Sequence, residues 1–426
     1  MSPTQQPHVA MLSPVTPAHG RGGVQDIVWS LARGLAGRGC AVELVTSAHP
    51  AGVEAETLDG VRVRYLDVPG RDLALHGLHP RWMNASRAAV LESHARAPID
   101  VIHSQSYCGL HLAGAMPGVP VVATLHGTHV DELRTRARIL RENLPGRPVA
   151  ALRVAAQWAL MAGRFMREAP RLARCAAVIA TSREQRAILL ARYRVPAARL
   201  HDVWNGIDTT LFAPRPADPA LRARLTVTLD QSGPPIVHGA PLVLAVARLY
   251  QEKGIQHALR AWPRVLQALP CATLVVVGDG PYQAVLEAQA RSLGLGDRVR
   301  FAGALALEAL PDYYAAADAF VNPTVRINGY DLTILQAMAC ARPVVVSNIG
   351  SVPTAVSDGV DGLLAPPGDA AGLATRLLEV LGAPERAAAL GTAARRTVCE
   401  RFSLESMVEG TLAVYDTARA AAAGPR

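Results

Sequence analysis

Lysine is almost missing from this sequence. Of 43 basic residues in 426, only Lys253 is a lysine, so arginine fills every other basic position. Clustered cysteine is missing too. Cys40, Cys108, Cys175, Cys271, Cys340 and Cys399 lie far apart with no CxxC pair, which argues against a zinc site or a disulfide framework. No apolar run reaches the roughly 18 residues that a membrane-spanning helix needs. The start, MSPTQQPHVAMLSP, lacks the charged and apolar regions of a signal peptide. These absences predict a cytoplasmic protein with free thiols. Disorder is excluded by composition, with 50% hydrophobic and 18% charged residues. The net charge of +8 is uneven. Between Arg134 and Arg174 ten arginines face only Glu142 and Glu168, and 10 − 2 = +8, equal to the whole chain's excess.

What is present is alternation. Apolar runs of strand length start near His8, Cys40, Val61, Asp100, Val119 and Ala176, with segments of helical period between them. Continuous apolar strands between amphipathic helices imply a parallel sheet covered on both faces. The pattern breaks over 213–240, where Pro214, Pro216, Pro219, Gly233, Pro234 and Pro235 cluster. It restarts at Pro241, Ala272, Arg298, Asp318 and Arg342, with helices expected at about 254–269, 282–293, 332–340 and 370–382. The chain therefore reads as two doubly wound α/β domains facing a cleft. The expected divisions are residues 1–213, a linker over 214–240, a second domain over 241–402, and a C-terminal helix over 403–426 packing back on the first domain. A length of 426 residues is too great for one ordinary core.

Ligands of such sheets bind beyond the carboxyl ends of the strands, so the strand-to-helix junctions hold the candidates. PAHGRGGVQ places Gly22 and Gly23 at a helix start, where backbone N–H groups can approach a phosphate or sugar, or simply make a tight turn. LHGTH places His126 at a strand end, as a catalytic or a structural histidine. VARLYQEKG places Arg248 and Lys253 around one turn. An arginine fork and a lysine point charge together suit a pyrophosphate. A solvated loop is the alternative, and the scarcity of lysine argues against it. A polar loop from Asn322 then leads into a helix near Leu332, whose free N–H groups could meet an anion. GDGPYQ at Gly278 approaches the dinucleotide-binding GxGxxG but has Gln283 in place of its third glycine.

The series GGVQ, LHG, VWNGID, VARLYQEKG, VVVGDGP, RVRFAG, NPT and LQAMACARPVV resembles family 4 of the GT-B glycosyltransferases over nearly the whole chain. The resemblance implies a retaining transferase, a hexosyltransferase by default. Its co-substrate would be a nucleotide sugar, most commonly a UDP-sugar, and it would need no other cofactor. It implies catalytic roles for His126, Arg248, Lys253 and Asn328. It implies donor binding by Gly22, Gly23, Arg248, Lys253, Gly278, Leu305, Asn328, Tyr330, Asp331, Leu332 and Gln336. Within those roles His126 touches the sugar, while Arg248 and Lys253 hold the diphosphate. The family's paired glutamates are replaced here by Asn328 and Gln336, and a glycine by Asp331. Asp331 is expected to cap the following helix, with a displaced catalytic carboxylate as the alternative. Gln336 is expected at the ribose and Asn328 at the donor sugar.

Metal independence is expected, because no Asp-x-Asp occurs in the sequence. The basic segment 134–174, expected in the first domain, reads three ways: a plain solvated helical face, contact with an anionic acceptor, or peripheral contact with an acidic membrane. No nucleic-acid partner is expected. Two rival functions remain at this point, a non-catalytic nucleotide-sugar-binding protein and a Rossmann oxidoreductase.

Overall fold

The computed structural model describes residues 6–13, 15–20, 22–68, 79–143, 148–226, 239–327 and 329–423. The strands are β1 (His8–Leu12), β2 (Ala41–Thr46), β3 (Ala55–Leu58), β4 (Val61–Tyr65), β5 (Val101–Gln105), β6 (Val121–Leu125), β7 (Ala177–Ala180), β8 (Leu200–Asp202), β9 (Leu242–Val246), β10 (Thr273–Val277), β11 (Val299–Gly303), β12 (Ala319–Asn322), β13 (Val344–Ser347) and β14 (Leu363–Ala365). The helices are α1 (Gly23–Gly37), α2 (Pro80–Arg96), α3 (His129–Asn143), α4 (Pro148–Leu172), α5 (Arg183–Ala191), α6 (Pro219–Thr226), α7 (Ile255–Ala268), α8 (Gln283–Ser292), α9 (Leu310–Ala316), α10 (Leu332–Ala339), α11 (Val352–Ala355), α12 (Ala370–Leu381), α13 (Pro384–Arg401) and α14 (Leu404–Ala423).

The chain forms two compact units. The first comprises Met1–Leu133, Arg147–Gly206 and Ser403–Arg426; the second comprises Arg134–Gly146 and Ile207–Phe402. The division thus falls at 206/207, not in 214–240. Within that stretch α6 is a helix of the second unit, tied to it by Arg222 on the Asp318 carboxylate at 2.7 Å. Residues 227–238 of the expected linker lie outside the described residues. The early arginines of the basic segment also belong to the second unit, so that segment is not confined to the first.

In the first unit an eight-stranded sheet runs β3-β4-β2-β1-β5-β6-β7-β8. All its pairings are parallel except β3 with β4. β3 (AETL) is mostly exposed. An edge strand needs no apolar run, which is why apolar runs did not reveal it. Trp82 of α2 is fully buried and donates its indole N–H to Cys108 O at 2.8 Å, closing the core on that face. On α1, Gly34 leaves room for Val408: a Cβ there would stand 2.4 Å from its Cγ2, so α14 lies close against α1. Farther along α14, the Tyr415 hydroxyl reaches His103 Nδ1 of β5 at 2.6 Å.

In the second unit a six-stranded parallel sheet runs β11-β10-β9-β12-β13-β14. β9 (LVLAV) and β10 (TLVVV) are buried throughout, as strands covered by helices on both faces must be. α7 places Ile255, Ala258, Leu259, Trp262 and Val265 in the core at helical spacing, and Trp262 is fully buried. All six cysteines are unpaired. Among the described residues no helix is long and apolar enough to cross a membrane.

Candidate functional site

Strand order reverses at one point in each sheet, between β1 and β5 in the first and between β9 and β12 in the second. The crevice outside such a reversal is where doubly wound sheets bind ligands.

In the second unit the turn after β9 carries Arg248 and Lys253, and the loop after β12 carries Asp331. Arg248 is exposed, with its guanidinium 4.8 Å from the centre of the Tyr250 ring. Lys253 closes a short 3-10 turn, Gln251–Lys253, and Gly254 follows in the left-handed region with φ 75°. A Cβ on Gly254 would lie 1.9 Å from Pro323 O, so only glycine lets this turn approach the β12 loop.

That approach brings the Lys253 ammonium onto Asp331 Oδ1, while Asn322 Nδ2 donates to Oδ2 at 3.0 Å. Burial pushes the Asp331 pKa up, but Lys253, Arg326 and the two hydrogen bonds together outweigh it and hold the carboxyl below its usual range. Asp331 occupies the N-cap position of α10, yet its side chain makes no capping hydrogen bond. The expected capping role is therefore corrected: the carboxylate faces the lysine, which offers it a full opposite charge, rather than the helix N–H groups.

The remaining second-unit candidates are spread around this pair. Gly278 has φ 127°, and a Cβ there would meet Ala247 O at 1.9 Å, so it packs the β10 turn onto the β9 turn. Leu305 is half-buried just after β11, and Leu332 is half-buried as the first residue of α10. Tyr330 is 8% exposed, its ring edge-on to Phe402 at 6.0 Å. Gln336 is 6% exposed, and its Oε1 accepts from the Tyr314 hydroxyl at 2.9 Å. The carboxamide expected at a ribose is thus already engaged on one lone pair. Asn328 lies outside the described residues.

In the first unit Gly22 is the N-cap of α1 and Gly23 its first residue. Nothing lies within 4 Å of where a Gly23 Cβ would sit, which leaves the helix N-terminus approachable. His126 follows β6 directly. Its Nε2 lies 2.8 Å from Gln105 Oε1, the last residue of β5, and its Nδ1 is buried without a hydrogen-bond partner among the described residues. A carboxamide oxygen only accepts, so Nε2 carries the proton and Nδ1 is a bare acceptor. Burial lowers the His126 pKa to about 4. Behind it His103 is fully buried between Tyr415 and Thr124, its pKa lowered to about 3 by burial and then by His126.

Gln105, Tyr314 and the contact of Asn322 with Asp331 escaped the sequence reading, since polar residues in strands and helices carry no local mark of their partners. So did the buried contact of His129 Nε2 with Glu168, which α4 holds near the end of the arginine-rich segment.

Two doubly wound sheets, with strand-end cations at the reversal of one and a histidine near the reversal of the other, fit the GT-B class of glycosyltransferase. The family model described as Glycosyl transferases group 1 matches residues 240–383, and that of Glycosyltransferase Family 4 matches 21–211. A D-inositol 3-phosphate glycosyltransferase of Frankia alni is 32% identical over 94% of this chain and 96% of its own. A GDP-mannose-dependent alpha-(1-6)-phosphatidylinositol monomannoside mannosyltransferase of Mycolicibacterium smegmatis is 34% identical, over 49% of this chain and 53% of that one. The structure of a sucrose-phosphate synthase from Thermosynechococcus elongatus matches with a TM-score of 0.78 and 25% identity, covering 97% of this chain and 100% of that one. The chain belongs to glycosyltransferase family 4, and it is a glycosyltransferase. The oxidoreductase and non-catalytic readings fall away.

Proposed function

We propose that this enzyme moves a hexose from a UDP-sugar to a hydroxyl of a phosphorylated acceptor, with retention of configuration and without a metal ion. The observation that carries the reading is the pair of cations, Arg248 and Lys253, on one turn at the reversal of the second sheet. As the bond between the anomeric carbon and the diphosphate oxygen breaks, negative charge gathers on the leaving diphosphate. Fixed cations and a helix N-terminus stabilise that charge without reorganising. The acceptor hydroxyl attacks the anomeric carbon from the face that the diphosphate leaves, and its proton passes to a phosphate oxygen of the leaving group. His126 Nδ1 accepts a hydrogen bond from a sugar hydroxyl. The acceptor class is supported by the relatives, whose names specify inositol 3-phosphate and a phosphatidylinositol mannoside. Exposed arginines on and just after α4, Arg167 and Arg174, suit such an anion.

The test crosses UDP-glucose and GDP-mannose with inositol 3-phosphate and uncharged inositol, with and without excess chelator, and reads the product's anomeric configuration by NMR. The expected result is transfer from UDP-glucose to the phosphorylated acceptor, retained configuration and full activity in chelator. Preference for GDP-mannose overturns the donor base. An inverted product overturns retention. Loss of activity in chelator with rescue by magnesium or manganese overturns the role given to the cations.

A further inference from the structure

Lys253 is the only lysine of the chain, and among the described residues its one ion pair is with an aspartate at a position where the family resemblance implies glycine. The two side chains are 12% and 14% exposed. Both oxygens of Asp331 are engaged by side chains, one by Lys253 and one by Asn322. The carboxylate is therefore held in a fixed place beside the ammonium and is not shared with the helix it precedes. Resting on the reading of Arg248 and Lys253 as the diphosphate clamp, we propose that Asp331 is an internal counter-anion that limits the negative charge the clamp accepts. It thereby favours the sugar-bearing donor over the nucleoside diphosphate product.

The argument is one of charge. With Lys253 and Asp331 paired, the clamp lysine's charge is already offset within the protein, Glu252 adds a second carboxylate to the same turn, and Arg326 is near enough to act on Asp331. A diphosphate joined at both ends carries one negative charge on each phosphate. Once the sugar leaves, the terminal phosphate becomes a monoester whose second pKa is about 6, so it gains a further charge at neutral pH. A buried carboxylate on the clamp lysine repels the product more than the donor, because repulsion grows with charge. A glycine at 331 offers no such discrimination. The expected consequence is weak product inhibition in an enzyme whose clamp would otherwise hold the more highly charged species more tightly.

The experiment is calorimetric titration of UDP and GDP, and of UDP-glucose and GDP-mannose, into the full chain and its variants at neutral pH. Asp331→Asn keeps the side chain's shape and removes its charge; Asp331→Gly restores the residue implied by the resemblance and serves if the amide disturbs folding. Both are expected to tighten the nucleoside diphosphate about tenfold, equal to about 1.4 kcal/mol, and the sugar-bearing form clearly less. Lys253→Ala is expected to weaken the nucleoside diphosphate, and adding Asp331→Asn is expected to recover part of the loss, because an unpaired carboxylate is then removed. Weaker or unchanged nucleoside diphosphate binding in both Asp331 variants overturns the proposal, as does equal tightening of donor and product. So does the absence of recovery in the double variant, which would leave Asp331 as a prop that only orients the lysine. If Arg248→Ala binds UDP and GDP like wild type, the clamp reading itself fails. If Arg248→Ala weakens them and the Asp331 variants do not tighten them, the clamp stands and only the counter-anion fails.

Discussion

Arg248 and Lys253 sit on the same turn in different states, one exposed and lying over Tyr250, the other bonded to Asp331. Charge-assisted hydrogen bonds contribute about 1.5–3 kcal/mol each. Replacing either residue by alanine is therefore expected to slow turnover by roughly 10- to 100-fold. Lys253→Arg is expected to impair it as well, because a planar fork does not fit where a compact ammonium meets Asp331. Steady-state kinetics check this, and wild-type constants in Lys253→Ala would remove the residue from the site. His126 invites a second prediction at this scale. With its pKa lowered to about 4, it stays neutral through the working range. The pH profile of kcat/KM is expected to show no limb near 6.5 that belongs to it. A limb near that pH which disappears in His126→Asn would contradict the neutral-acceptor role.

Two elements carry separate predictions. The turn between β9 and α7 depends on Gly254, whose backbone is left-handed and where an added Cβ would stand 1.9 Å from Pro323 O, leaving no space for a methyl group. Gly254→Ala is expected to cost about 2 kcal/mol or more, from backbone strain plus displacement of the β12 loop. Chemical denaturation reads the loss, and nucleoside diphosphate titration reads the loosened clamp. An unchanged midpoint would mean that the loop yields freely. On α4 the structure separates arginines that the sequence cannot. Arg164 and Arg171 are half-buried and help stabilise the charge of Glu168, whose pKa burial raises. Arg167, on the same helix, and Arg174, just beyond it, are exposed, and Met166 beside Arg167 is 70% exposed. Arg167→Gln with Arg174→Gln is expected to raise the KM of a phosphorylated acceptor several-fold at low salt and leave nucleotide affinity unchanged. The difference should shrink as salt screens exposed charges beyond about 8–10 Å. Wild-type acceptor kinetics, together with loss of binding to acidic vesicles, would assign the helix to a membrane surface instead.

For the whole molecule the buried histidines set an acid limit. Burial lowers the pKa values of His103, His111 and His126 to about 3, 4 and 4, against an ordinary histidine value of 6.5. Below 6.5 the unfolded chain binds protons that the folded chain refuses, so the stability these groups contribute is present above 6.5 and is lost as pH falls toward 4 and 3. Each contributes a slope of up to about 1.4 kcal/mol per pH unit in that window. Denaturation midpoints at pH 7 and pH 4.5 are expected to differ accordingly, with a shallower dependence in His103→Gln. Equal midpoints would show that these histidines titrate alike in both states.

The alternation of apolar runs determined, from sequence alone, two parallel sheets and the junctions to inspect, because buried strands must be apolar whatever surrounds them. The lone lysine marked its own turn. Packing decided the rest. Only the approach of the Gly254 turn to the β12 loop joins Lys253 to Asp331 across 78 residues, and only β5 lying beside β6 gives His126 its partner Gln105. A side chain's partner depends on which strands become neighbours, and strand order is a property of the folded sheet that local sequence pattern does not encode.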